Sequence, residues 1–165
     1  MLKKALVGFP TRPVLYLSIP LLIAGLGFHF YATYQSCRSQ ADLRESFRAA
    51  IDAGANGTAA VQLSRISDFD WDRADILVNY KPDGVTTDCP FDWDWSRKSR
   101  EKLIAADRLN VIVFLKDGKL VDYLEYPRDW AEFVDVENPY SRTSAIFRVE
   151  QSPGRPYEYI LSQAR

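Results

Sequence analysis

The chain has 165 residues, 47% of them apolar, 26% charged and 13% aromatic, the size and make-up of one globular domain with a large aromatic share. That composition excludes a collagenous, coiled-coil, disordered or disulfide-dense chain. With 21 basic residues against 22 acidic ones the net charge is −1, so no basic field recommends a nucleic-acid partner.

The first predicted element is a membrane span. Lys3, Lys4 and Arg12 form a basic head over residues 1–12, and the run Val14–Tyr34 then holds 21 residues without Asp, Glu, Lys or Arg. A bilayer core needs ~20 apolar residues at ~1.5 Å rise each. Tyr16 near one end, with Phe28, Phe30, Tyr31 and Tyr34 near the other, suits the two water–lipid interfaces. Pro20, Gly25 and Gly27 weaken a helix in water, but lipid enforces backbone hydrogen bonding and tolerates them.

A cleaved signal peptide fits less well. The run exceeds the ~7–15 residues of such a segment, and bulky Phe30 and Tyr34 precede Ala32 and Ser36 where cleavage needs a small residue. Lipid attachment at Cys37 has small Ser36 before it but lacks the aliphatic and small residues further back. The expectation is an uncleaved signal anchor at 13–36 in the inner membrane, with residues 1–12 cytoplasmic and a periplasmic domain over 38–165. Lys3, Lys4, Arg12 and the terminal amine outnumber Arg38, Arg44 and Arg48 only slightly, yet a short basic head is easily retained inside. Gly25, Gly27 and His29 are the candidates for packing against a neighbouring membrane helix.

Only Cys37 and Cys89 can form a disulfide. In an oxidising compartment two thiols tend to pair, and this bridge would constrain the unfolded chain by about 4 kcal/mol. Alternatively Cys37 is an interfacial apolar residue and Cys89 a small packed one, never within reach of each other.

Beyond the anchor, Leu43, Phe47, Ala50 and Ile51 fall on one helical face, with Arg44, Glu45, Arg48 and Asp52 outside it. Ser39 can cap this helix and Gly54 end it; it either packs on a sheet or continues the membrane helix as a stalk. Asn56-Gly57 is a turn signal. Strands are predicted at Ala59–Ile66 and Ala74–Tyr80, then a loop at Lys81–Asp88 and a helix at Ser96–Ala106 facing Leu103 and Ile104 inward. Asp117-Gly118 between the β-rich runs Asn110–Leu115 and Leu120–Tyr126 is the clearest hairpin signal, because its turn needs positive φ. A helical turn at Arg128–Phe133 carrying Trp130, and strands at Thr143–Gln151 and Tyr157–Leu161 around Ser152–Pro156, complete the pattern. The fold class is α+β: a single transmembrane helix, then a mainly antiparallel sheet with two or three helices.

F-D-W-D occurs at Phe69–Asp72 and at Phe91–Asp94, and residues 68–94 hold eight Asp against Arg73 and Lys81, a local charge of −6. The exported part as a whole has 18 basic against 22 acidic residues. Asp68, Asp70 and Asp72 begin like a calcium loop, but the places for Gly and Glu hold Arg73 and Asn79. Paired carboxylates could instead perform hydrolysis, though sequence spacing does not fix their separation in space. The simplest reading points the aromatic residues inward and the Asp residues to water. It leaves Asp68, Asp70, Trp71, Asp72, Asp92, Trp93, Asp94 and Trp95 as a surface for a basic protein partner.

The only His is His29, so the exported part offers no Ser-His-Asp or Cys-His system and no His-containing zinc site. Neither glycine-rich phosphate motif is present. No catalytic residue, metal ligand or cofactor is assigned.

The stretches D-F-D-W-D-R-A-D-I-L-V-N-Y and V-I-V-F-L-K-D-G-K-L-V-D-Y-L-E-Y-P-R, within residues 68–133, resemble small exported bacterial lipoproteins and membrane-anchored domains of unknown function. The resemblance implies an envelope location in a Gram-negative-type bacterium and carries no catalytic motif; a transmembrane anchor here takes the place of the lipid. The functional expectation is a non-catalytic single-pass membrane protein presenting a periplasmic protein-binding domain, as an envelope accessory or toxin-immunity protein. The alternatives are a small subunit of a membrane complex, or an Asp-dependent or Ca-dependent membrane-anchored hydrolase.

Overall fold

The computed structural model describes residues 13–78, 89–95, 97–153 and 159–164, without the side chains of 13–18, 92 and 97. The head at 1–12, the predicted loop at Lys81–Asp88 and most of the turn before Tyr157 lie outside the described residues. The chain divides into two units, Met1–Gln35 and Ser36–Arg165.

Helix α1 runs Pro13–Ala55 with Pro20 inside it. Ser39 therefore caps nothing; the helix passes straight through it. In the first unit the helix leaves nine large apolar side chains exposed from Ile19 to Tyr34, with Leu21 at 71% and Phe28 at 75%. Among the described residues no helix is long and apolar enough to cross a membrane. The whole uncharged run Val14–Tyr34 lies within α1, and the side chains of 16 of its 21 residues, Ile19–Tyr34, are described.

The second unit is mixed α+β with two four-stranded sheets rather than the one expected. The elements after α1 are β1 (Val61–Gln62), α2 (Leu63–Ile66), β2 (Arg73–Leu77), a 3-10 turn (Pro90–Asp92) and α3 (Arg97–Ala105). Then follow β3 (Leu109–Lys116), β4 (Lys119–Pro127), β5 (Ala131–Phe133), β6 (Tyr140–Ser141), β7 (Ile146–Gln151) and β8 (Tyr159–Gln163). One sheet has the order β1-β7-β8-β5, antiparallel except for the β5–β8 pair; the other has the order β4-β3-β2-β6 and is antiparallel throughout.

Strand β3 sits inside its sheet and is buried on both faces. Ile112 and Phe114 join the main core with Leu43, Phe47 and Ile51 of α1 and the inward residues of both sheets. Leu109, Val111 and Val113 point the other way, against Leu103 and Ile104 of α3. Period-two alternation alone assigns these two sets. Aromatic rings dominate the main core: Phe47 lies 4.9 Å from Tyr126, Phe133 4.8 Å from Phe147 and Trp71 5.3 Å from Phe114.

The hairpin forms as read, with Asp117 at φ 50° and Gly118 at φ 72°. Three short elements differ from the reading. The predicted strand at Ala59–Ile66 yields after two residues to α2, which Ser67 closes by donating its N–H and hydroxyl to Leu63 O. That hydroxyl also accepts the Trp71 indole N–H at 2.7 Å, so burying the tryptophan leaves no donor orphaned. The predicted helical turn at Arg128–Phe133 is a turn followed by β5, whose Ala131 and Phe133 alternate inward beside β8. Strand β6 went unread. Next to it the Asn138 side chain takes the Ile76 N–H and donates to Ile76 O, both at 2.8 Å, extending the pairing of β2 with an amide from a side chain.

Gly54 does not end α1 but lies buried within it. A Cβ there would stand 2.3 Å from Val149 Cγ2 and 3.0 Å from Ala59 O, so only glycine lets helix and β7 approach.

Candidate functional site: a buried ion-pair network behind the disulfide

Cys37, Gln40 and Arg44 recur at helical spacing, so α1 projects them from one face. All three are buried. Cys37 is bridged to Cys89, with their Cα atoms 5.8 Å apart. The bridge delivers residues 89–95 to this face of the helix, where Asp94 meets Arg44.

Arg44 grips Asp94 with both terminal nitrogens, the Nη2–Oδ2 bond measuring 2.7 Å, while its Nε donates to Glu125 O at 2.8 Å. Its guanidinium carbon stands 4.1 Å over the Trp95 ring. From α3, Arg100 makes the matching fork on the Glu125 carboxylate, at 2.8 and 2.6 Å. Glu125 is 2% exposed, and both arginines are nearly as deep. Two guanidinium ions and two carboxylates therefore sit inside the domain, neutral in sum and bonded at bidentate geometry.

At the margin of this network Gln40 donates to Asp122, while its own Oε1 is buried without a partner among the described residues. Burial pushes the Asp122 carboxyl above the usual range; the Tyr123 N–H and the Gln40 amide pull it down, and the charge of Asp68 adds a last upward push.

The eight surface residues read from the sequence are not gathered on one face. In the first F-D-W-D the expected alternation holds: Phe69 is half-buried and Trp71 1% exposed, with Asp68, Asp70 and Asp72 outside. Trp71 is thus a core residue and not a partner contact. Asp70 pairs with Lys116 at 3.1 Å and Arg142 at 3.2 Å, and Asp72 accepts the Asp117 N–H at 2.9 Å. The hydrogen bond to Asp70 holds the Lys116 ammonium above its usual value. These carboxylates tie the β3–β4 hairpin and the 142 turn together.

The second copy is inverted. Phe91 is 74% exposed, whereas the Asp94 side chain is only 6% exposed. Alternation requires extended backbone, and Phe91 sits at φ 56°, ψ 24° in a 3-10 turn. Asp94 and Trp95 thereby become parts of the interior network, the Trp93 ring lies tilted to that of Phe91 at 5.3 Å, and the Asp92 side chain lies outside the described residues. In the first unit nothing lies within 4 Å of a Cβ built on Gly25 or Gly27. Gly25 and His29 share a helix face one turn apart, while Gly27 points nearly opposite, so the three do not form one stripe.

Sequence reasoning missed Gln40, Arg44, Arg100, Asp122 and Glu125, and placed Arg44 outside the buried face. The available signal was the spacing of Gln40 and Arg44 behind Cys37. An open cleft of about 580 Å³ elsewhere, lined by Asp107, Arg108, Arg128, Asp129 and Glu132 among others, has Arg108 paired with Asp129 and Arg128 with Glu132. Among the described residues no group of three or more His, Cys, Asp or Glu is gathered to hold a metal ion. Compared with family models, with curated proteins and with solved structures, the chain matches none.

Proposed function

We propose that the chain is a single-pass inner-membrane protein with a cytoplasmic N-terminus, presenting a non-catalytic, protein-binding α+β domain on the exported side. The observation that carries this reading is the Cys37–Cys89 bridge, which begins three residues behind Tyr34. A bridge of this kind persists in oxidising compartments, and a helix covered in apolar side chains is what lipid solvates. Three residues leave no room for a second crossing, so a bridge formed in an oxidising compartment supports an exported position for the residues after the anchor. Binding is favoured over catalysis because the strongest charged groups face one another inside the fold, and the exported part has no His. Exposed Asp68 and the net acidity of the domain suit a partner of basic charge.

A C-terminal fusion to a reporter that matures only after export tests the topology. Exported activity, with a mobility shift on reduction in a gel, is the expected result. Activity of a reporter that matures only in the cytoplasm would overturn it.

A further inference from the structure

Gln40 on α1, Asp122 on β4 and Asp68 ahead of β2 bring oxygen acceptors together without donors to match. Gln40 is 5% exposed, and its Oε1 is buried with no hydrogen-bond partner. An amide oxygen so placed gives up its hydration for nothing. It stands beside the Asp122 carboxylate, because the Nε2 of the same amide donates to Asp122 Oδ1. Turning the amide over would set its oxygen against that carboxylate and leave the nitrogen unpaired instead.

Asp122 is itself engaged on one side only. Its Oδ1 accepts both the Gln40 amide and the Tyr123 N–H, and no donor among the described residues reaches Oδ2. Asp68 is exposed and makes no ion pair among the described residues, yet its charge acts on Asp122. Deeper in the domain, carboxylates are met by arginine: Asp94 by Arg44 and Glu125 by Arg100. Here neither carboxylate has such a partner. Asp70 and Asp72 take no part, being tied to the β3–β4 hairpin.

A neutral amide oxygen and two carboxylates, with no sulfur or nitrogen ligand, are the donor set of a hard cation. A water molecule would satisfy Oε1 but leave two like charges facing each other. Calcium suits the set better than magnesium, because it accepts mixed oxygens in irregular geometry and completes its shell with water.

We infer that Gln40 Oε1, Asp122 Oδ2 and the Asp68 carboxylate form a calcium site, with exposed Asp68 at its entrance. The site lies wholly within the second unit and owes nothing to the anchor.

The test uses the purified full chain in detergent, stripped of metal by a chelator and then given calcium alone. Calorimetric titration is expected to show one ion per chain, with a Kd on the order of 0.1–1 mM. Calcium at about 10 mM is expected to raise the unfolding midpoint by about 4–10 °C. Asp122→Asn sheds the buried charge, so it remains folded without metal, and it is expected to lose the calcium shift. Gln40→Glu adds a third carboxylate; it is expected to be less stable than the wild type without calcium and to bind the ion at least tenfold more tightly. A midpoint that calcium leaves unchanged, or moves equally in wild type and Asp122→Asn, overturns the site. So does a shift that sodium chloride reproduces at the same ionic strength, which marks screening between carboxylates and no bound ion.

Discussion

At the scale of single residues, the domain is sensitive where a side chain has no room or an unfavourable charge. Gly54→Ala places a methyl group against Val149 and Ala59 O, and is expected to cost about 1–3 kcal/mol in denaturant unfolding. Asp122 works in the opposite sense. Its carboxyl holds its proton more tightly in the folded state than in the unfolded chain, because burial penalises the charge. The folded state therefore binds more protons across the window from the ordinary carboxylate value upward, and stability falls as pH rises through that window. Asp122→Asn removes the charge and keeps an acceptor for Gln40. It is expected to raise the unfolding midpoint at neutral pH and to flatten the acidic slope of a stability-against-pH series; an unchanged slope would contradict this assignment.

At the scale of elements, the ion-pair network binds α1, α3, β4 and the 93–95 segment to one another. Arg44→Met leaves Asp94 buried without its partner and is expected to cost about 3–5 kcal/mol. The double variant Arg44→Met, Asp94→Leu is expected to recover much of that loss, because no unpaired charge remains; a double-mutant cycle measures the coupling. The spacing of Gln40 and Arg44 behind Cys37 was legible in the sequence, but the ion pairs were not. Arg44 and Asp94 are 50 residues apart, Arg100 and Glu125 are 25 apart, and no local spacing encodes either pair. The hairpin was legible because Asp117-Gly118 carries its own backbone requirement, and α1 was legible because Leu43, Phe47 and Ile51 share a face. Strands β1, β5 and β6 are two or three residues long and exist through pairing with distant partners, which pattern cannot supply. The second F-D-W-D misled for a related reason: identical letters in a turn do not alternate as they do in extended chain.

At the scale of the whole molecule, the disulfide closes a separation of 52 residues. Replacing Cys37 and Cys89 by serine is expected to lower the unfolding free energy by about 4 kcal/mol, read by denaturant titration of the oxidised and serine forms. It is also expected to loosen residues 89–95 before the sheets, seen as amide exchange accelerating first at Trp93–Trp95. Exchange that accelerates equally throughout both sheets would refute this ordering.

Strand β4 is an outermost strand of its sheet, nine residues long, and carries exposed Leu120 and Val121. Along this strand Arg44 occupies Glu125 O and Asp122 occupies the Tyr123 N–H, so two of the backbone groups that a foreign strand would seek are already engaged. Wherever copies of the chain meet often, such engagement works against zipping strand to strand. Arg44 thus opposes edge pairing as well as unfolding, and Arg44→Met is expected to raise the share of sheet-rich oligomers, read by size exclusion and circular dichroism.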